Sequence, residues 1–156
     1  MTSTSDNKQR LLDLYTSFIN SFDGSPTAFA TAEPILGQLF DPSFLIVTGD
    51  GTKDLKWYTA FAKSFAESGN VAKVTSIASI NDQECLSPAQ FQVTIENTVG
   101  GVVIDPIVFR GTAVMDKNGE YKITYMKNVE QMLSLWTSAL RSFLLRCIGR
   151  TMTLLA

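Results

Sequence analysis

The stretch Phe109-Arg-Gly-Thr-Ala-Val-Met-Asp-Lys-Asn-Gly-Glu-Tyr-Lys-Ile-Thr-Tyr125 sets two strand-like runs on either side of an Asn118-Gly119 pair. β-Branched and aromatic residues favour extended chain, and Asn-Gly takes the positive backbone angles of a two-residue hairpin turn. A turn of that length pairs Val114 with Ile123, Thr112 with Tyr125 and Arg110 with Lys127 on one side of the sheet. Met115, Ala113 and Gly111 then share the other side with Lys122, Thr124 and Met126. The Ile123 side is expected to be concave, because it continues through Val108 and, across a Gly100-Gly101 turn, to Phe91, Val93 and Ile95.

Working outward, the runs 71–80, 90–99, 102–115 and 121–129 read as an antiparallel meander. Upstream, Ser5 or Asp6 can cap a helix whose Leu11, Leu12, Leu14, Tyr15, Phe18, Ile19 and Phe22 form one stripe, ended by Asp23-Gly24-Ser25-Pro26. A short helix from Glu33 to Phe40, with Pro34 in its first turn, precedes a strand over Phe44–Thr48. Gly49-Asp50-Gly51 makes a turn, and Thr52 or Asp54 can cap a third helix. Its Trp57, Tyr58, Phe61, Ala62 and Phe65 lie on one face, expected to be buried against the sheet. After Glu130 the helical period returns, with Met132, Leu135, Trp136, Ala139, Leu140, Phe143 and Cys147 on one face. Without repeats or linkers the chain reads as one α+β domain, N-terminal helices packed on a curved antiparallel sheet, with a C-terminal helix added. Its expected parts are a flexible terminus (1–7), the domain proper (8–129) and a helical extension (130–156).

Composition narrows the possibilities. The chain has 156 residues, 45% hydrophobic and 18% charged, which suits a single globular core. A formal charge of −2 provides no general attraction to nucleic acid. The N-terminal residues lack a signal-like apolar core, and Arg141 and Arg146 interrupt the greasiest segment, so a cytoplasmic location without a membrane span is expected. Cys85 and Cys147, the two cysteines, read as small core residues. The chain has no histidine, which removes every Ser-His, Cys-His or Asp-His device and every His-metal site. No phosphate-binding glycine loop is present either, and no cofactor or metal is expected.

The order of elements resembles the cone-shaped fold of nuclear transport factor two, ketosteroid isomerase and SnoaL-like polyketide cyclases. The resemblance lies in Phe40-Asp-Pro-Ser-Phe-Leu-Ile-Val-Thr-Gly-Asp-Gly-Thr52 leading into the Trp57 helix, and in the Phe109–Tyr125 hairpin. It covers about residues 8–129, and the helix after Glu130 departs from it. Proteins of this shape include isomerases, cyclases, hydrolases and association modules, so the resemblance implies a fold rather than a reaction. The Asp/His pairing of SnoaL-like cyclases has no counterpart in a chain without histidine.

The ligand-binding residues expected on this reading are Arg110, Thr112, Tyr125 and Lys127, a polar cluster in an apolar bowl, with Trp57, Tyr58 and Asp41 nearby. Arg110 and Lys127 need an anion, either a ligand carboxylate or an internal Asp41 or Asp54. Glu96 is expected opposite Asp105, as an acid/base pair or a solvated edge separated by a bulge at Asp105-Pro106. The arginines after Gln131 admit a helix on a membrane surface, and packing on the domain or a second subunit is the competing reading. The expected partners are a small apolar ligand with an anionic or hydrogen-bonding end and a second copy of the chain, with no nucleic acid and no membrane. Two functions stand open: a pocket that binds or converts such a ligand, and a non-catalytic dimerisation module. An enzyme built from these residues would be a histidine-independent isomerase, cyclase or hydrolase using carboxylate, Arg and Tyr groups.

Overall fold

A computed structural model describes residues 4–80 and 89–129. Three helices, α1 (Thr4–Asn20), α2 (Ala28–Leu39) and α3 (Leu55–Glu67), pack on one curved sheet. Its strands are β1 (Phe40–Thr48), β2 (Gly51–Asp54), β3 (Val71–Ser79), β4 (Ala89–Val99), β5 (Val102–Val103), β6 (Ile107–Met115) and β7 (Tyr121–Asn128). The order across the sheet is β2-β1-β7-β6-β4-β3, with β5 paired to β4. The sheet is mixed rather than wholly antiparallel, because β1 runs parallel to β7. Those two strands are joined through the rest of the fold, and so long a connection permits parallel pairing. The expected extension after Glu130, with its stripe from Met132 to Cys147, and Cys85 lie outside the described residues.

The α1 stripe is buried as its spacing requires, with Leu11, Leu12, Tyr15, Phe18, Ile19 and Phe22 in the core. Phe18 is fully buried and sits edge-on to Phe22 and Phe40, at ring separations of 5.4 and 5.6 Å. The helix begins at Thr4, so residues 4–7, expected to be a flexible terminus, are part of it. Its far end is tied to β3, where the Asn20 Oδ1 accepts the Val74 amide and the Phe22 carbonyl accepts the Ala72 amide, both at 2.9 Å. α2 starts five residues earlier than its sequence suggests, which puts Pro34 inside it rather than in its first turn. The stripe Ala28, Ala32, Leu36 and Leu39 is what buries this helix, and Pro34 lies on its exposed side. Asp54 caps α3 by accepting the Trp57 amide at 2.9 Å.

Two one-residue slips reverse the expected faces of the sheet. The Gly100-Gly101 turn holds, with Thr98 opposite Val103. The chain then breaks over 104–106 and resumes with Ile95 opposite Ile107, so Val93 meets Phe109 instead of Val108. The other hairpin is longer than two residues: Met115 pairs with Tyr121, and the Asp116 carboxylate accepts the Asn118 and Glu120 amides at 2.8 and 3.0 Å. Val114 therefore faces Lys122. Farther along, Ala113 pairs with Ile123 but Thr112 with Tyr125, leaving Thr124 as an extra residue in β7. Because side chains alternate, each slip turns every following residue to the other face. The inner face of β6 carries Ile107, Phe109, Gly111 and Ala113, and Arg110 and Thr112 point outward.

A second bulge of the same kind lies in β3, where Val74 pairs with Ile95 and Ser76 with Thr94. At both places a threonine is the extra residue, and its hydroxyl donates across the ladder: Thr75 to the Thr94 carbonyl and Thr124 to the Thr112 carbonyl, each at 3.3 Å. Bulges increase local twist and bend the strand. They give the sheet the curvature that wraps α1.

Gly111 sits under the ring of Phe91, its partner in β4, so closely that a Cβ there would overlap the ring. Phe91 is itself 1% exposed and packed at a tilt 5.6 Å from Tyr15, leaving it little room to withdraw. Alanine ordinarily favours a strand over glycine. Gly111→Ala is nevertheless expected to destabilise the chain by about 1–3 kcal/mol in denaturant titration. In a Phe91→Leu background the penalty should shrink, and an undiminished penalty would show that backbone, not ring overlap, is responsible.

Candidate functional site

Between α1, α3 and the inner sheet face the cone stays open, as a cavity of about 470 Å³. That is within the usual range for a small-molecule site. Tyr15 and Ile19 of α1, with Phe22 just beyond it, form one wall, Trp57, Tyr58 and Phe65 of α3 another, and Ile95, Phe109 and Met126 the sheet floor. Phe61, Val99 and Ile104 stand at its mouth. Phe61 is 50% exposed and stacked on Trp57 at 5.2 Å, which corrects the expectation that the whole α3 stripe is buried against the sheet. The stripe is wider than the surface available to cover it, and Ala62 and Ala66 take the closest positions instead.

No carboxylate, amine, guanidinium or thiol is among the described residues lining the cavity. Its polar groups are hydroxyls and amides. Asn97 is the buried polar side chain of the core, 9% exposed, and its carboxamide has no hydrogen-bond partner among the described residues. It follows Phe91, Val93 and Ile95 on the inward side of β4 and lines the cavity. Asn70, also in the lining, is already engaged, accepting the Gly100 amide at 3.2 Å. Tyr15 and Tyr58 hydrogen-bond each other, and burial, first of all, pushes both phenols well above their ordinary value of 10.0. Both remain neutral at physiological pH, able to donate a hydrogen bond and unable to act as phenolate bases.

The sequence-predicted residues divide between two sides of the sheet. Trp57 and Tyr58 line the cavity. Arg110 opposes Lys127 and Thr112 opposes Tyr125, the expected pairs, but on the outer face, away from the cavity, because of the two slips. Arg110 donates through Nε to Gln92 Oε1 at 3.1 Å, without an ion pair to Asp41 or Asp54. Asp41 accepts the Ser43 amide and hydroxyl, which lower its pKa, and Asp54 caps α3. Glu96 faces Lys73 rather than Asp105, which lies in the exposed break before β6. Asn97 was not among the expected residues. Its signal was an amide at the next inward position of the alternation Phe91-Val93-Ile95. Among the described residues no group of three His, Cys, Asp or Glu could hold a metal ion, and no helix is long and apolar enough to cross a membrane.

No family model and no curated protein sequence matches the chain. Solved structures do. A protein of unknown function with a cystatin-like fold from Nostoc punctiforme is similar at a TM-score of 0.59 and 11% identity, over 82% of this chain and 93% of that one. A nuclear transport factor 2 superfamily protein from Salmonella enterica gives 0.56 at 15% identity, over 81% and 92%. A candidate ketosteroid isomerase from Shewanella frigidimarina gives 0.55 at 12% identity, over 74% and 91%. The chain has the cone fold these proteins share.

Within that fold the buried tyrosine pair gives a pH dependence with a definite sign. A phenol whose folded-state pKa lies above its unfolded value favours the folded state up to that unfolded value, and the stabilisation is lost as pH rises further. Stability should therefore be level through neutral pH and fall above about pH 10. In Tyr15→Phe/Tyr58→Phe the alkaline slope of denaturant midpoints should flatten. An unchanged slope would mean that the two hydroxyls titrate normally in the folded chain.

Proposed function

We propose that the chain is a pocket protein that holds a small, mostly apolar molecule in the cone, with a hydrogen-bonding end of that molecule on Asn97. The observation that carries this reading is the Asn97 carboxamide, without a side-chain hydrogen bond to the described residues, in a mostly apolar wall. No sealed side-chain polar atom among the described residues lacks a partner, so the Asn97 amide is open to the cavity, where a hydrogen bond to a ligand hydroxyl or carbonyl would be worth about 0.5–1.5 kcal/mol. The neutral lining favours a neutral polar end over an anionic one, since Arg110 and Lys127 lie on the other face. It also favours holding and orienting the ligand over proton transfer by an ionised side chain. Ketosteroids, named for one protein of this fold, are apolar molecules with a carbonyl end.

Naphthalene and 2-naphthol differ by the one group at issue, which makes them suitable probes for calorimetric or fluorescence titration. The chain should bind 2-naphthol about tenfold more tightly, the worth of one net hydrogen bond, and Asn97→Leu should abolish that preference while still binding naphthalene. Failure to bind either probe, or the same preference in Asn97→Leu, would overturn the proposal.

A second reading, association of two copies through the outer sheet face, is favoured by one observation. Val114 and Tyr125 are 39% and 36% exposed there, beside the Arg110–Gln92 contact, and form an apolar patch with a polar surround. Sedimentation should then show a dimer that Tyr125→Glu dissociates. A monomeric parent chain at micromolar concentration would dismiss this reading without affecting the cavity.

A further inference from the structure

The cavity holds a second amide close to the first. Asn97 pairs with Ala72 across the β3–β4 ladder, and Asn70 stands two residues before Ala72, where it too lines the cavity. Diagonal neighbours of this kind lie about 7–8 Å apart, close enough for one small group between them to meet both side chains. On the reading that the polar end of a ligand meets Asn97, we propose that Asn70 is a fixed hydrogen-bond donor to that same end. The ligand then carries an acceptor there, a carbonyl or similar oxygen, and lies with this end at the β3–β4 corner and its apolar body toward Phe109 and Met126.

Asn70 is held by its backbone and by its side chain. Where α3 ends, the Gly69 amide donates to the Ala66 carbonyl at 3.0 Å and the Asn70 amide to the Phe65 carbonyl at 3.3 Å, with Gly69 at a φ of +72°. This is the paired bonding of a Schellman turn, and Asn70 takes the position from which an apolar side chain often packs back on the helix. An amide stands there instead. A backbone N–H is met only by an oxygen, so the bond from the Gly100 amide at 3.2 Å commits the Asn70 Oδ1 and leaves its Nδ2, with two hydrogens to donate, as the group still on offer. That Nδ2 makes no hydrogen bond to a described residue and is not sealed from its surroundings. Asn97 is under no such restraint and can turn either its oxygen or its NH2 toward a ligand. A carbonyl oxygen, with two lone pairs, accepts from both side chains, whereas a group that only donates is met by Asn97 alone. A donor already fixed in place loses little freedom when a ligand binds.

2-Acetylnaphthalene and 2-ethylnaphthalene have nearly the same shape and differ by the carbonyl oxygen. Asn70→Asp keeps an oxygen for the Gly100 amide and replaces the NH2 with a second acceptor. In fluorescence titration the full chain should bind the ketone about tenfold more tightly than the hydrocarbon, and Asn70→Asp should remove that preference while binding the hydrocarbon as before. Should Asn70→Asp not fold, the side-chain amide resonances of the nitrogen-labelled parent chain give an independent reading: the ketone should shift the Asn70 Nδ2 protons downfield and the hydrocarbon should not. An undiminished preference in Asn70→Asp, or Asn70 protons that ignore the bound ketone, would overturn the proposal, and the Asn97 reading would survive that result if Asn97→Leu still weakens ketone binding. Equal loss of both probes in Asn70→Asp would make Asn70 a purely structural residue and also overturns it. Failure of the parent chain to bind either probe would overturn both readings.

Discussion

The extra residue in β7 fixes the character of both faces of the sheet. A strand of even alternation could not send both Ile123 and Met126 inward, three positions apart, yet both are buried beneath the helices. Thr124 makes this possible by standing as the bulge and donating its hydroxyl to the Thr112 carbonyl. Beyond it, Tyr125 and Lys127 turn out with their partners Thr112 and Arg110. Two cations that would need an anion inside the cone remain hydrated outside it.

That arrangement determines what the cavity can do. Its walls are aromatic and aliphatic, and its polar groups are neutral. Tyr15 and Tyr58 hydrogen-bond each other, and the Asn97 amide, without a side-chain hydrogen bond to the described residues, is open to the space. The similar structures, at 11–15% identity, show the fold and not a function. The proposed function therefore rests on the site rather than on the fold.

The elements and their order were legible in the sequence because they rest on local signals. The α1 stripe, the Asp54 cap, the Gly100-Gly101 turn and the bulky β-branched runs each declare themselves within a few residues. The faces of β6 and β7 were not legible. They depend on single-residue slips at 104–106 and at Thr124, and neither slip has a distinctive composition. The hairpin at Asn118-Gly119 misled for a related reason: the Asp116 carboxylate captures two amides and lengthens the loop, a side-chain effect that the Asn-Gly pair alone does not reveal. Trp57 and Tyr58 face the cavity, as their helical spacing suggests, because a helix keeps its phase, whereas Arg110 and its neighbours lie on the outer face because a strand loses its phase with one residue.

The central claim, that the binding surface is the inner face and not the outer cluster, is most directly tested by locating a bound probe. Crystals soaked with 6-bromo-2-naphthol would mark its position by the anomalous signal of bromine. The account predicts a bromine site between α3 and the β6–β7 floor, with the naphthol oxygen within hydrogen-bonding distance of the Asn97 carboxamide. A bromine site beside Arg110 and Tyr125, with the cone left free, would contradict it.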